Sequence, residues 1–222
     1  MAETKNNGTT MEAVQEENFV QKNLKKIAWC VTVLILAVIA AILVCNYYEK
    51  QSNAAAEAMF PCEELFQQGL FEKALVGDGQ QIIGFEEVAK KYGSTKVGNV
   101  AKLYAGLANA QLGKFEEAEK YLSDFDTKND EMVSPAALGA LGNVYAQLEK
   151  FDKAVETLVK AAKKADNNVL SPLYLVQAGE ILESQGKADK ALELYEQVKA
   201  NYRASVQGQE IDKYIQRIEV AE

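Results

Sequence analysis

Leu112-Gly113-Lys114-Phe115-Glu116-Glu117-Ala118, Leu148-Glu149-Lys150-Phe151-Asp152-Lys153-Ala154 and Gln185-Gly186-Lys187-Ala188-Asp189-Lys190-Ala191 are near copies, set 36 and 37 residues apart. A fixed period in this range is the signature of stacked helical repeats. The match extends in register. Twelve residues before each alanine stands Gly106, Gly142 or Gly179, and four after it stands Leu122, Leu158 or Tyr195. That spacing suits two antiparallel helices. Glycine on the first faces alanine on the second, the axes approach, and the larger residue fills the space beside them.

The pattern continues at both ends. Gln68-Gly69-Leu70-Phe71-Glu72-Lys73-Ala74-Leu75 is a fourth, divergent copy, whose second helix Gly77-Asp78-Gly79 should break. The chain resumes with a predicted helix over Phe85–Tyr92. Ile211, Tyr214, Ile215 and Ile218 recur at i, i+3, i+4 and i+7, one apolar stripe on a polar helix. That suits the terminal cap a solenoid needs. Pro135 and Pro172 suit first helical turns, with Ser134 and Ser171 before them as expected N-caps.

These residues resemble the tetratricopeptide repeat. That family has Gly or Ala eighth, Ala twentieth and a bulky apolar residue twenty-fourth, as all three copies do. Tyr145 matches its aromatic eleventh position, whereas Asn109 and Leu182 depart from it. The period exceeds the family's ~34 residues by two or three, so longer loops are expected at Thr127–Val133 and Asp166–Leu170. The expected fold is all-α: an N-terminal transmembrane helix, then a tetratricopeptide-repeat α-solenoid with a C-terminal capping helix. The boundaries read as 1–24 for a tail, 25–48 for a membrane anchor and 49–222 for the repeats. Within the last, the units are about 54–96 (divergent), 97–131, 134–168 and 171–204, with the cap at 205–222.

The anchor is IAWCVTVLILAVIAAILVC, Ile27–Cys45, a run without charge. As a helix at ~1.5 Å per residue it spans about 28 Å, close to the ~30 Å hydrocarbon core. Its one polar side chain, Thr32, can bond back to the preceding turn. Trp29 and the Tyr47-Tyr48 pair lie where the two membrane interfaces would fall. Lys22, Lys25 and Lys26 precede the run, and only Lys50, beside Glu49, follows closely. That asymmetry keeps the N-terminus in the cytoplasm and puts the repeats outside. A cleaved signal peptide is the competing reading, with small-residue sites near Ala54–Ala58, but the apolar run is longer than such segments need. Residues 1–21 are polar without a sustained period and read as a mobile tail.

Composition narrows the chemistry. The 222 residues include 24 Lys+Arg and 32 Asp+Glu, a net charge of −8, and no histidine. A nucleic-acid binder needs a basic face, so that class is excluded. Histidine-based catalysis and zinc sites are excluded too. Residues 1–45 carry four Lys and four Glu, so the repeats hold the whole −8. Three cysteines, Cys30, Cys45 and Cys62, are too scattered for a disulfide framework. Cys62 reads as a small packed residue, or as a thiol for an intermolecular disulfide if exposed. Gly77-Asp78-Gly79 lacks a dinucleotide loop's third glycine, and Gly93-Ser94-Thr95-Lys96 has a phosphate loop's residues in the wrong order. No catalytic residue, cofactor or metal is expected.

A protein-binding groove is the remaining expectation. Carried over from the resemblance, its residues are Leu103, Leu107 and Gln111, then Ala136, Gly139, Ala140, Asn143 and Gln147, then Leu173, Val176, Gln177, Glu180 and Ser184. This floor is small, apolar and rich in amides, without the Lys/Arg/Asn set that clamps a C-terminal carboxylate. It suits extended or unfolded polypeptide.

The anchor and repeats together, with Ala74–Gly79, Gly84-Phe85 and Tyr104–Leu107, resemble the ancillary subunit family of the bacterial Sec translocon. The resemblance implies a single-pass inner-membrane protein with a periplasmic array. Its implied partners are translocon subunits, a membrane-anchored periplasmic prolyl isomerase and nascent or unfolded polypeptides, handled in a chaperone-like way. The alternative is a structural scaffold for other envelope-assembly proteins.

Overall fold

A computed structural model describes residues 7–221, and side chains for 21–220. All regular elements among them are helices, apart from one isolated bridge between Gly77 and Ile83. They are α1 (Asn7–Gln67), α2 (Phe71–Val76), α3 (Phe85–Tyr92), α4 (Lys96–Gln111), α5 (Phe115–Ser123), α6 (Val133–Gln147), α7 (Phe151–Ala165), α8 (Leu170–Ser184), α9 (Ala188–Asn201) and α10 (Val206–Ala221). The chain divides into two units, residues up to Lys50 and residues from Gln51 onward.

The first unit is one helix, the first stretch of α1. Its backbone is helical from Asn7, where the sequence shows no helical period; residues 1–6 of the expected tail lie outside the described residues. Trp29, Leu34, Leu36 and Leu43 are exposed along it, and Thr32 Oγ1 donates to the Ala28 carbonyl at 2.9 Å. Among the described residues, this is the one helix long and apolar enough to cross a membrane.

The second unit is the solenoid. Each of α5, α7 and α9 packs between two flanking helices, and α4, α6, α8 and α10 also touch one another in succession. Successive second helices do not meet, so the array curves with the first helices inside. The close approach forecast from Gly142 and Ala154 is present. A Cβ built on Gly142 would lie 2.7 Å from Leu158 Cγ and 3.4 Å from the Ala154 carbonyl oxygen. At Gly106 and Gly179 it would meet Leu122 Cγ at 2.5 Å and Tyr195 Cε1 at 2.3 Å. Only hydrogen fits at these crossings, and the bulky residue seals each one.

Inner and outer helices join through one repeated turn. Lys114 N–H bonds the Asn109 carbonyl at 2.9 Å, and Lys150 and Lys187 do the same to Tyr145 and Leu182. Each turn passes through a left-handed residue: Gly69, Gly113, Glu149 and Gly186 have φ of 75°, 73°, 57° and 69°. Glu149 is the one non-glycine of the four.

The inner helices begin differently from the serine caps expected. α6 starts at Val133 and α8 at Leu170, so Ser134 and Ser171 lie inside their first turns. The capping acceptors stand four residues earlier. Asp130 Oδ1 accepts from the Met132 and Ser134 N–H groups at 3.1 and 2.9 Å. Asn167 Oδ1 accepts from Val169 and Leu170 at 2.9 and 2.8 Å. The serines turn inward, and Ser171 Oγ donates to the Ala162 carbonyl at 2.8 Å. A proline two positions past the helix start needs no N–H there, which is why this phase is tolerated.

α4 and α10 share another start. Thr95 Oγ1 accepts from Gly98 N–H and Ser205 Oγ from Gly208 N–H, both at 2.9 Å. Both hydroxyls also donate to a tyrosine carbonyl three residues back, Tyr92 or Tyr202. A Cβ on Gly98 or Gly208 would lie 1.9 or 2.1 Å from that carbonyl oxygen. Thus α10 is built as one more inner helix. Ile211, Ile215 and Ile218 are buried against α8 and α9. Gln216, in register with Gly106, Gly142 and Gly179, is exposed.

The divergent unit departs where its sequence does. α2 stops at Val76, and Asp78 Oδ1 gathers the N–H groups of Gln80, Gln81 and Ile82 at 2.8–2.9 Å. These bonds hold its carboxyl below the usual range. Cys62 is buried, so the exposed-thiol alternative fails. It stands twelve residues before Ala74, the place glycine holds elsewhere. Its thiol donates to the Ile83 carbonyl at 2.8 Å, and burial raises its pKa to about 11.

Candidate functional site

The inner helices leave one stripe each for a ligand. Counting from the crossing glycine, the residues six and two before it and one and five after it follow i, i+4, i+7, i+11, a single helical face. This selects Val100, Tyr104, Leu107 and Gln111 on α4; Ala136, Ala140, Asn143 and Gln147 on α6; and Leu173, Gln177, Glu180 and Ser184 on α8. All twelve are exposed or half-buried. Counted from Cys62, the same rule gives Ala56, Phe60, Glu63 and Gln67 on α1.

Most of the expected groove residues lie on this stripe, and three do not. Leu103 is buried with Ala137, Leu141 and Val144 of α6. Val176 is buried with Ile211, Ile215 and Ile218 of α10. Both turn about a sixth of a helical turn away from the stripe and seal the seam between neighbouring inner helices. Gly139 lies under the Tyr174 ring, where a Cβ would be 2.3 Å from Cε1. Leu107, Gln111, Ala136, Ala140, Asn143, Gln147, Leu173, Gln177, Glu180 and Ser184 share the open face. Tyr104, Phe60 and Gln67 were missed. Stepping from the crossing residue would have found them, once Cys62 was recognised as holding the glycine position.

The floor is nearly free of charge. α6 carries no ionisable group except Tyr145. α4 has Lys96, Lys102 and Tyr104, with Lys102 held at 2.7 Å by Asp124 on the other side, and α8 places Glu180 on the open stripe. At the divergent end, Tyr104 stacks on Phe85 at 5.1 Å and meets Phe66 edge-on at 5.3 Å. Burial, with Glu63 adding, raises the Tyr104 pKa. At the cap end, Arg217 of α10 bonds Glu183 of α8 at 2.6 Å and lies over the Tyr214 ring. Behind that pair, Tyr195 is fully buried with its hydroxyl unpartnered. Gln177 Oε1 is likewise buried and unpartnered.

A cleft of about 480 Å³ lies among α2, α3, α4 and α5, where the interrupted outer helix leaves space. Glu86, Lys90, Lys102, Lys120 and Asp124 ring it with both signs of charge. Burial, with Glu86 beside it, pushes the Tyr121 pKa up to about 12.

Helix pairs stacked in one direction, with an inner face open for a ligand, define an α-solenoid of the interaction type. A family model described as a tetratricopeptide repeat-like domain matches residues 17–216, and the chain belongs to that family. Domains of this kind are in general non-catalytic protein-interaction modules. A comparison with curated proteins finds no match.

Proposed function

We propose that this chain is a membrane-tethered, non-catalytic subunit that assists secreted polypeptides at the bacterial Sec translocon. The observation that carries the reading is the pairing of one apolar span with an inner face whose stripe holds apolar and amide residues, with Glu63 and Glu180 as its carboxylates. The apolar and amide residues accommodate apolar side chains and uncharged backbone without stranding a buried charge. The lysines ahead of the span orient the N-terminus to the cytoplasm and the array to the periplasm. Tethering then confines the groove near the channel exit and raises effective concentration without new contacts. Translocon subunits, a membrane-anchored periplasmic prolyl isomerase and emerging chains are the partners this reading names.

Photo-cross-linking from Asn143 and Gln147 in intact cells tests it. Adducts to channel subunits or to chains in transit are expected. Adducts dominated by cell-wall or outer-membrane assembly proteins would replace it with the scaffold reading.

A further inference from the structure

The first unit carries two surfaces that complement each other. One is an exposed aromatic on α1. Phe60 is 70% exposed, the highest of any aromatic side chain among the described residues. Glu57 and Glu64 stand three before and four after it, also exposed, so all three share one helical face. Among the described residues, the Glu57 carboxylate bonds nothing and Glu64 reaches only Gln68, at 3.5 Å. Pro61, inside the helix, removes the N–H that would bond the Glu57 carbonyl, which leaves a further acceptor beside the ring.

The other surface is the cleft of about 480 Å³ among α2, α3, α4 and α5. Leu75, Val76 and Ala89 give it an apolar lining. Two of its rim carboxylates are already engaged: Asp124 holds Lys102 at 2.7 Å, and Glu86 stands beside the Tyr121 hydroxyl. Lys90 and Lys120, both exposed, form no ion pair among the described residues, and Glu87 is the third carboxylate of the rim. The charge left over is therefore positive. An apolar cavity of ~150 Å³ holds benzene, so a phenyl ring enters this cleft with room for its flanks. No lining residue comes from α1, and Phe60 stands exposed, so a copy does not fill its own cleft.

We propose that Phe60 of one copy inserts into the α2–α5 cleft of a second copy, with Glu57 and Glu64 facing Lys90 and Lys120. The chain thus associates with itself through two different patches. Burial of the ring supplies the attraction, and the charges select the register. One side chain and its flanks make a small contact for proteins free in solution. Copies tethered in one bilayer, as read above, meet at raised effective concentration.

The test uses purified full-length protein in phosphatidylcholine vesicles, with Phe60 replaced by photoreactive benzoylphenylalanine. Illumination should join two copies, with the adduct on the segments around Val76, Ala89 or Tyr121. Lys90→Glu with Lys120→Glu should cut that product roughly fivefold or more. Adding Glu57→Lys with Glu64→Lys to the same chain should restore it. Absence of joined copies, adducts elsewhere on the array, or a loss that the charge exchange does not restore overturns the proposal. Vesicle flotation reads the tether separately. Protein that fails to float overturns the tether reading, and the contact is then judged by the same cross-link at high concentration in solution.

Discussion

Helices α6 and α7 are neighbours of 15 residues each. α7 carries Asp152, Lys153, Glu156, Lys160, Lys163 and Lys164, while α6 carries no acid or base among them. The contrast follows from what surrounds each helix. α7 buries one side, through Ala154, Leu158, Ala161, Ala162 and Ala165, and gives the rest to water. That is an amphipathic helix in the ordinary sense. α6 is flanked by α5 and α7 behind and by α4 and α8 at its sides, so one narrow stripe remains. Charge on the outer row keeps the array soluble, which frees the inner stripe from that duty. A bare stripe of Ala, Asn and Gln is then explained by what it touches rather than by solubility.

The contrast can be broken most forcefully at an inner crossing. Gly179→Ala sets a methyl against the buried Tyr195 ring and should cost about 1–3 kcal/mol in chemical denaturation. Glu156→Ala on the exposed side of α7 should stay within about 0.5 kcal/mol. Comparable losses from the two would mean the rows are not built by different rules.

The inner-helix starts sharpen the comparison at a smaller scale. Asp130→Ala and Asn167→Ala each remove a cap and should cost about 1 kcal/mol. Only the first is sensitive to pH. Burial alone would raise the Asp130 pKa, but bonds from Ser134 and the helix N–H groups hold it below the ordinary value. A carboxyl depressed in the folded state stabilises above its unfolded pKa, near ~3.9, and loses that contribution as pH falls further. Denaturation at pH 3 and pH 7 should therefore show the cost of Asp130→Ala shrinking at pH 3 and that of Asn167→Ala unchanged.

The turns between rows offer a gain. Glu149 holds the left-handed conformation that glycine holds in the other three turns. Glu149→Gly should raise stability by about 0.5–1 kcal/mol, read as a higher denaturation midpoint. The smallest effect belongs to the ion pairs linking successive units. Lys150 and Glu119 meet at 2.5 Å but are partly exposed, so Glu119→Ala should cost less than about 1 kcal/mol and fade in high salt.

What the sequence could announce depended on the kind of constraint. Crossing glycines, the broken first unit and the isoleucine stripe were readable because each rests on residue size or backbone freedom at a fixed spacing. Groove membership was harder. Leu103 and Leu107 are both apolar on α4, and composition does not separate them; only angular position puts one in a seam and the other in the open. Cys62 hid the fourth crossing because, though read as a small packed residue, it was not set in register with Gly106, Gly142 and Gly179, twelve residues before Ala74. The capping residues were misassigned because serine before proline is a strong local signal. The acceptors that act, Asp130 and Asn167, stand a full turn upstream, at a place only the backbone path defines.

The matched starts of α6 and α8 make the array divisible at known seams. A chain without residues 134–170 would run from Val133 directly into Ser171-Pro172, and Asp130 would sit four positions ahead of the incoming serine, as Asn167 did. α5 would then lie against α8 in place of α6, and α10, with its own Ser205–Gly208 joint, would still close the far side. Length is therefore an adjustable property of this architecture, settled by how many cassettes are inherited rather than by any single long-range contact.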